Sequence, residues 1–323
     1  MVNADHGGTF FFERRNFIMR PVKEAKDYSG QIDAYKNNHA LQISDESAAV
    51  SIISRVNFYR LSAYGIGLMR PNNKELYLEG ITLEHLFRLY QFDAHLRALL
   101  FSVVENLEID LRAKLSYHLA ITYGSEGYMN PEHFLVKMKK SGSDVFTDTI
   151  QKFQQEIERQ QSLPCVKHHL EEYGGHFPIW AAIELFTFGM LSSLYSVMKS
   201  EDQKAISKEY GIDPEYLSSW ILSLVEIRNR CAHYGRLYNM PFRQQPRLHT
   251  EYKPYGGNRI FPVLLVIKRM TNDSVEWRTF LSSLIALIDE YPEARLSFMG
   301  FPQNWESVLS SKTPYCSSTR SHP

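Results

Sequence analysis

A short stretch in the second half of the chain holds the residue types that could act on a phosphodiester. Arg228 provides a permanently cationic guanidinium, Asn229 follows it with a carboxamide, and His233 adds an imidazole a little over one helical turn later. A guanidinium binds phosphate oxygens, and an imidazole accepts or donates protons near neutral pH. We therefore interpret these three residues as a candidate catalytic set for the cleavage of RNA.

The residues that surround this set are basic and aromatic, as single-stranded RNA requires. Arginine side chains neutralise phosphates, and aromatic rings and guanidinium planes stack on unpaired bases. We predict RNA contacts for Arg230, Tyr234, Arg236, Tyr238 and Arg243. The predicted site has no metal ligand and uses no cofactor.

The helix that would present Arg228 has a clear beginning and an apolar stripe. Residues 213–215 predict its start, because they combine a capping carboxylate, a proline at the first position and an acid in the first turn. The stripe consists of Leu217, Ile221 and Leu224. Arg228 lies 11 residues beyond Leu217, and about three helical turns bring it to nearly the same face. A charge that extends a buried stripe needs an anion, a carboxylate or an interface beside it.

His233 lies on a different face of the same helix. Each residue of an α-helix turns by about 100°, so Arg228 and His233 project about 140° apart. The two side chains can converge only if the helix ends or deforms between them, or if a second chain completes the site. Gly235 favours an early end of the helix.

The spacing between Arg228 and His233 is not specific by itself. Four arginines are followed by a histidine at this kind of distance, and about two such pairs are expected by chance. The four pairs are Arg88/His95, Arg112/His118, Arg228/His233 and Arg243/His249. Context favours Arg228/His233, whereas Arg112 and His118 lie inside an uninterrupted helical pattern that predicts a structural role.

The remaining chain predicts an all-α protein. Pro178 opens a predicted helix that runs to Val197, with Gly189 in its middle to permit close approach of a neighbour, and residues 260–270 and 274–291 predict two more helices. The strongest helical pattern runs from Thr82 to Tyr123 and predicts a long helix, bent or broken once, as the spine of a bundle. Glu105 and Arg112 on this helix belong to a face that we expect to be solvated. The expected organisation is a flexible arm at 1–27, a helical segment at 28–75 packed on the core, a helical core at 82–291 with an insertion around 125–177, and a C-terminal extension at 292–323 with a disordered tail.

Composition limits the function classes without choosing one. Lys plus Arg and Asp plus Glu are equal at 36 each, so an RNA ligand must be held by a local patch rather than by net charge. The three cysteines are widely separated and predict neither a zinc site nor a disulfide framework, which fits a reducing cytoplasm. The longest apolar run, residues 260–267, falls far short of the roughly 20 residues that span a bilayer. We expect no membrane association.

Several separated blocks resemble the Abi-like (abortive infection) family of bacterial phage-defence proteins, whose core is a HEPN domain. The similar blocks are residues 55–64, 90–93, 96–97, 105–112, 117–119, 178–180, 184–185, 188–189, 224–233, 236–239 and 299–302, together with Trp305. The resemblance implies a HEPN-type helical bundle and a metal-independent endoribonuclease whose catalytic arginine and histidine match Arg228 and His233. Asn229 matches the polar residue after the arginine.

The same resemblance implies partners for the chain. HEPN nucleases assemble a site from two motifs that face each other, so one motif per chain implies a homodimer with the site at the dyad. An antitoxin or a phage-derived trigger is a further partner. In HEPN toxins regulated by a nucleotidyltransferase antitoxin, a tyrosine lies two places after the histidine. Here Tyr234 follows His233 directly and Gly235 takes that place, which argues against that regulation.

Two other function classes remain open from the sequence. The chain could be a non-catalytic HEPN-type protein that binds RNA or a nucleotide. It could instead be a helical interaction module that senses a phage component, with Arg228 and His233 stabilising a dimer.

Overall fold

The structure is a computed structural model that describes residue 22 and residues 24–271 and 274–311. The predicted arm at 1–27 therefore lies largely outside the described residues, as does the predicted tail from Lys312. The described chain is predominantly helical, with one two-stranded antiparallel sheet. The predicted all-α class is confirmed.

Helices follow one another along nearly the whole described chain. They are α1 (Tyr28–Asp33), α2 (Glu46–Arg55), α3 (Phe58–Ser62), α4 (Leu83–Tyr123), α5 (Val145–Arg159), α6 (Pro164–Glu172), α7 (Ile179–Ala182), α8 (Phe188–Val197), α9 (Ser200–Glu209), α10 (Pro214–Ala232), α11 (Phe261–Thr271), α12 (Val275–Glu290) and α13 (Trp305–Ser310). Strands β1 (Met69–Arg70) and β2 (Asn73–Tyr77) form the hairpin between α3 and α4.

Helix α4 is the spine of the fold. Its 41 residues extend over about 60 Å at 1.5 Å per residue, and they pack against α7, α9, α10, α11 and α12. Thr82 caps the start by accepting a hydrogen bond from the backbone N–H of His85 at 3.1 Å, and Gly124 ends the helix with a positive φ of 80°. The prediction was a long helix, bent or broken once; α4 has no break, because it continues as one α-helix from Leu83 to Tyr123.

The segment before α4 packs on the first part of the spine, where the hydroxyl of Tyr64 donates to Asp93. Tyr35, Leu61, Tyr64 and Tyr77 are fully buried, so the N-terminal helices and the hairpin share one core with α4. The hairpin was not predicted, because its exposed strand residues lack an apolar alternation. This arrangement brings α3 close to the end of α10.

The pattern from Pro178 to Val197 predicted one helix, and the structure divides it. Helix α7 ends at Ala182, a 3₁₀ turn follows at Ile183–Leu185, and α8 begins after Thr187, whose hydroxyl accepts the backbone N–H of Met190 at 3.3 Å. Gly189 does not allow a close approach as expected, since a Cβ there would meet only Thr187 Oγ1 at 3.8 Å. The carbonyl of Ile183 accepts the backbone N–H of Phe186 at 3.2 Å within the 3₁₀ turn, and it also accepts a hydrogen bond from Arg112 on α4.

The helices after the candidate site complete the core. The predictions of helices at 260–270 and 274–291 agree with α11 and α12 to within a residue or so at each end. Nearly every residue of α11 is buried. None of the helices among the described residues is both long enough and apolar enough to cross a membrane.

Candidate functional site

Helix α10 carries the predicted catalytic residues, and its apolar stripe is buried as expected. Leu217, Ile221 and Leu224 are fully buried against the core, and α10 packs closely along α4. Arg228 continues this stripe and is turned toward α4, with 31% of its side chain exposed. The group that lies beside this charge is a carboxylate.

The partner of Arg228 is a buried carboxylate on α4. The Nε atom of Arg228 lies 3.2 Å from Oε2 of Glu108, and the Nη2 atom of Arg112 donates to the other oxygen, Oε1, at 2.6 Å. Arg112 also donates through Nη1 to the carbonyl of Ile183, in the 3₁₀ turn after α7. Glu108 therefore joins α4 to α10, and it was missed because its helix face was expected to be solvated.

This network leaves a surplus of positive charge at Arg228. Two guanidinium groups share a single carboxylate, so the three side chains carry a net charge of +1. Glu108 and Arg112 are the buried members, with 8% and 13% of their side chains exposed, and Arg228 is the exposed one. An incoming phosphate would reach the network at Arg228, which is fixed in place before the anion arrives.

Asn229 lies beside Arg228 on the solvent side of α10. Its side chain is exposed, and its Oδ1 atom accepts a weak hydrogen bond from Nη1 of Arg228 at 3.5 Å. The carboxamide still has donors for a ligand or for a neighbouring imidazole. Its position agrees with the predicted role as the polar residue next to the arginine.

His233 occupies the C-terminal cap of α10 and is exposed to solvent. Helix α10 continues through Ala232, so it does not end between Arg228 and His233, and the two side chains leave the axis about 140° apart. No hydrogen bond or ion pair joins Arg228 to His233 within the described chain. An early end of the helix therefore does not bring these two side chains together.

The turn after His233 has a strained backbone. The N–H of Gly235 donates to the carbonyl of Arg230 at 2.7 Å, and the N–H of Tyr234 donates to that of Cys231 at 3.2 Å, which is the bonding of a Schellman cap. The left-handed position of such a cap is normally glycine, yet here it is Tyr234, with φ of 55°. Non-glycine residues in this conformation are costly and concentrate at functional sites.

Arg60 holds this turn from the other side. Its Nη2 atom donates to the carbonyl of Tyr234, and its guanidinium lies 6.0 Å from the centre of the Tyr90 ring. Aromatic and arginine residues mixed as they are around Arg60 are typical of core rings with solvated cations. The structure instead brings Arg60 into contact with Tyr234, the residue after His233, across 174 residues of sequence that local patterns do not connect.

A buried aspartate fixes the loop that follows the turn. Asp93 on α4 accepts hydrogen bonds from the backbone N–H groups of Leu237 and Tyr238, at 3.1 and 2.7 Å, and from the hydroxyl of Tyr64 at 2.7 Å. Arg97 pairs with it at 2.6 Å. Burial raises the pKa of Asp93, while Arg97 and the hydrogen-bond donors oppose that shift. The loop is therefore anchored to the same helix that carries Glu108.

The five residues predicted to contact RNA differ in how far their side chains are exposed, and three of them lie at or near the surface. Tyr234 and Arg243 are exposed at the surface around α10. Arg230 is engaged with Glu226 at 2.7 Å and with the carbonyl of Pro241 at 2.8 Å, which makes it in part a structural residue.

The other two predicted contacts lie deeper than expected. Tyr238 is completely buried, its ring packs edge-on against Phe92, and its hydroxyl accepts the N–H of Arg295 at 3.2 Å. It cannot stack on a base in this fold and is a core residue. Arg236 is half-buried beside the Tyr64 ring, and burial lowers the pKa of its guanidinium.

The competing Arg/His pairs have structural partners. His118 bonds to Asp202 at 2.7 Å, and Arg112 belongs to the Glu108 network. His95 bonds to the hydroxyl of Tyr291 at 3.2 Å, and His249 stacks on Tyr216 with ring centres 4.0 Å apart. Among the described residues, no group of three or more histidines, cysteines or acids is arranged to hold a metal ion.

The fold and the site define a class of protein: a helical bundle that presents an arginine, an amide and a histidine at the end of one surface-accessible helix. A comparison with protein families assigns the chain within that class. Residues 51–239 match the family described as Abi-like protein. This match covers more than half of the chain, and the protein therefore belongs to the Abi-like family.

The matched region contains the residues that position the candidate site. Arg60, Asp93, Glu108, Arg228 and His233 all lie between residues 51 and 239. Neither the search of curated proteins nor that of solved structures found a match to this chain. The family assignment thus rests on the family comparison and is accompanied by a coherent site geometry.

Proposed function

We propose that this Abi-like protein is a metal-independent endoribonuclease of the HEPN type that acts in abortive infection, a form of bacterial phage defence. The observation that carries the proposal is the network of Arg112, Glu108 and Arg228. This network has a net positive charge and holds Arg228 in place next to Asn229, on the helix whose C-terminal cap is His233. Family membership supports the role in defence, and the site chemistry supports the reaction.

The reaction uses a nucleophile that RNA itself supplies. The 2′-hydroxyl attacks the adjacent phosphorus, its proton passes to a base, and the 5′-oxygen leaves after it receives a proton from an acid. His233 serves as one of these groups, and the His233 of a second copy takes the complementary role. The products carry 2′,3′-cyclic phosphate and 5′-hydroxyl ends.

Arg228 and Asn229 act on the phosphate during this attack. Negative charge builds on the non-bridging oxygens, and a fixed guanidinium stabilises it without rearranging. Glu108 holds the Nε side of Arg228, so the Nη atoms are the ones that face the phosphate. Asn229 orients the phosphate or the imidazole through its amide.

A homodimer completes the site in this proposal. Arg228 and His233 project apart on one unbroken helix, so the His233 that acts with a given Arg228 comes from the second copy. RNA, the second copy and a phage-derived trigger or an antitoxin are the proposed partners.

Cleavage of RNA by the purified protein tests the proposal directly. We expect cleavage to persist in the presence of a chelator and to fall by a factor of about 100 or more in His233→Ala, the size of effect that a general acid or base contributes. His168→Ala removes an exposed histidine from α6 and should cleave as the wild type does. End-group analysis should find cyclic phosphates, and expression of the wild type, but not of His233→Ala, should degrade cellular RNA and arrest growth.

Full cleavage by His233→Ala, with its fold intact by circular dichroism, would remove the catalytic assignment. One observation favours the non-catalytic alternative: Arg228 already has a carboxylate partner within its own chain. If the protein only binds RNA, Arg228→Ala would weaken RNA binding, and neither the wild type nor this variant would produce cyclic-phosphate ends. The two outcomes separate a nuclease from a binding protein.

A further inference from the structure

A groove runs along the outer face of α10, next to the candidate catalytic residues. It has a volume of about 400 Å³ and is lined by Leu222, Val225, Glu226, Arg230, Arg243 and Gln244. This volume falls within the range of about 300–1,000 Å³ that is typical of small-ligand sites. The proposed catalytic reaction does not use the groove itself.

The groove shares one face of the helix with two of the three candidate catalytic residues, Asn229 and His233. Leu222, Glu226, Asn229 and His233 follow one another at spacings of three and four residues, which keeps them within about 60° of rotation. Glu226 lies about 4.5 Å along the axis from Asn229 and about 10.5 Å from His233, at 1.5 Å per residue. A strand whose cleaved phosphate lies at His233 can therefore continue across the groove.

The acidic residue of the groove is already fully engaged. Glu226 accepts hydrogen bonds from Nη2 of Arg230 at 2.7 Å and from the backbone N–H groups of Arg243 and Gln244 at 3.1 and 2.8 Å. These bonds hold the loop after the site against α10, so that the side chains of Arg243 and Gln244 stand exposed at the rim. The lining residues together carry a net charge of +1, since Arg230 and Arg243 outweigh Glu226.

Arg230 contributes its guanidinium to the lining of the groove. This guanidinium lies 4.3 Å from the centre of the Phe242 ring and donates to Glu226, so it is held in place as a cation that favours an anionic oxygen. Leu222 and Val225 add apolar surface to the lining, and 44% of Leu222 is exposed.

We propose that this groove is a subsite for one unpaired nucleotide of the RNA next to the cleaved bond. A nucleotide combines an apolar base and sugar face with an anionic phosphate, and the groove offers an apolar wall together with two arginines. Gln244 carries both a donor and an acceptor and can bond to the edge of the base. The inference rests on the proposed nuclease function, because it takes its ligand from that reaction.

Binding measurements on an inactive protein test the subsite separately from catalysis. The ligand is a single-stranded oligoribonucleotide, and the protein is the full chain with His233→Ala. We expect Arg243→Ala, added to the His233→Ala protein, to weaken RNA binding about tenfold. The slope of log K against log salt should become smaller in magnitude by about one, as the loss of a phosphate contact predicts. Leu222→Ala should weaken binding by a similar factor but leave the salt dependence unchanged.

Arg159→Ala is the matched control for charge, since Arg159 is an exposed arginine on α5, paired with Glu156. It should change the affinity by less than twofold. Equal losses in Arg243→Ala and Arg159→Ala would mean that bulk charge, not the groove, binds RNA, and the subsite would be wrong. Loss of a dimer in Leu222→Ala by sedimentation would assign the groove to a second copy and would also overturn the inference.

Cross-linking locates the nucleotide directly. An oligoribonucleotide with one 4-thiouridine beside the cleaved bond should cross-link to the peptides that line the groove, as mapped by mass spectrometry. Cleavage without cross-links or mutational effects in the groove would reject the subsite and leave the nuclease intact. Groove-dependent binding without any cleavage by the wild type would reject the nuclease and retain the subsite as a binding site.

Discussion

Glu108 is the residue on which the geometry of Arg228 depends. Its carboxylate lies between two arginines, and only Arg228 has an exposed edge. A glutamine at this position would keep the shape of the side chain and lose its charge. We expect Glu108→Gln to lower the rate of RNA cleavage by about 10–100-fold, since residues that orient a functional group contribute effects of this size.

A change of charge elsewhere on the same helix provides the control for this prediction. Glu105 lies one turn before Glu108 and is exposed, so Glu105→Gln alters the net charge equally without touching Arg228. Single-turnover rates at saturating protein compare the two variants, and denaturant unfolding checks that both are folded. Equal rates for Glu105→Gln and Glu108→Gln would refute a positioning role for Glu108.

At the scale of one element, the C-terminal cap of α10 contains a strained residue that lowers stability. Tyr234 has a left-handed backbone conformation, and 71% of its side chain is exposed, so little packing compensates the strain. Glycine adopts this conformation without a Cβ clash. We expect Tyr234→Gly to raise the free energy of unfolding by about 1 kcal/mol, after the greater chain entropy of unfolded glycine has been subtracted.

Tyr234→Ala separates relief of strain from loss of the ring. Alanine keeps the Cβ atom and the strain, so its free energy of unfolding should remain close to that of the wild type. Chemical denaturation measures both variants, and RNA binding shows whether the exposed ring is kept for function. A Tyr234→Gly protein no more stable than Tyr234→Ala would contradict the strain argument.

The elements of the fold were predictable where the signal is local. Thr82 and Gly124 mark the ends of α4, and Pro214 marks the first residue of α10, because caps act over a few residues only. The break before α8 was missed although Thr187 is a suitable cap, since the apolar spacing continues across it.

The composition of the site was predictable in part for the same reason. Arg228, Asn229 and His233 are close in sequence, and the helix stripe correctly indicated that Arg228 needs a partner. The identity of that partner was not predictable, because Glu108 lies 120 positions earlier and its burial depends on how α10 packs on α4. The burial of Tyr238 has the same origin, since Asp93 on α4 draws its backbone into the core.

At the scale of the whole molecule, distant segments combine to hold one short helix end. Arg60 reaches it from α3, Asp93 anchors the loop behind it, and Glu108 fixes the arginine in front of it. Two of these residues belong to the spine α4, which makes that helix the frame of the site. This explains how blocks separated in sequence belong to one functional unit within the family match at 51–239.

Complementation between two inactive variants tests whether the site is shared. If Arg228 of one chain acts with His233 of the other, Arg228→Ala and His233→Ala are each inactive alone, but a mixed dimer keeps one Arg228 that faces an intact His233. Random exchange makes half of the dimers mixed, and each of these lacks the second imidazole, so the mixture should recover part of the cleavage, up to about a quarter of the wild-type rate. A mixture no more active than its components would show that the two residues do not act across a dimer.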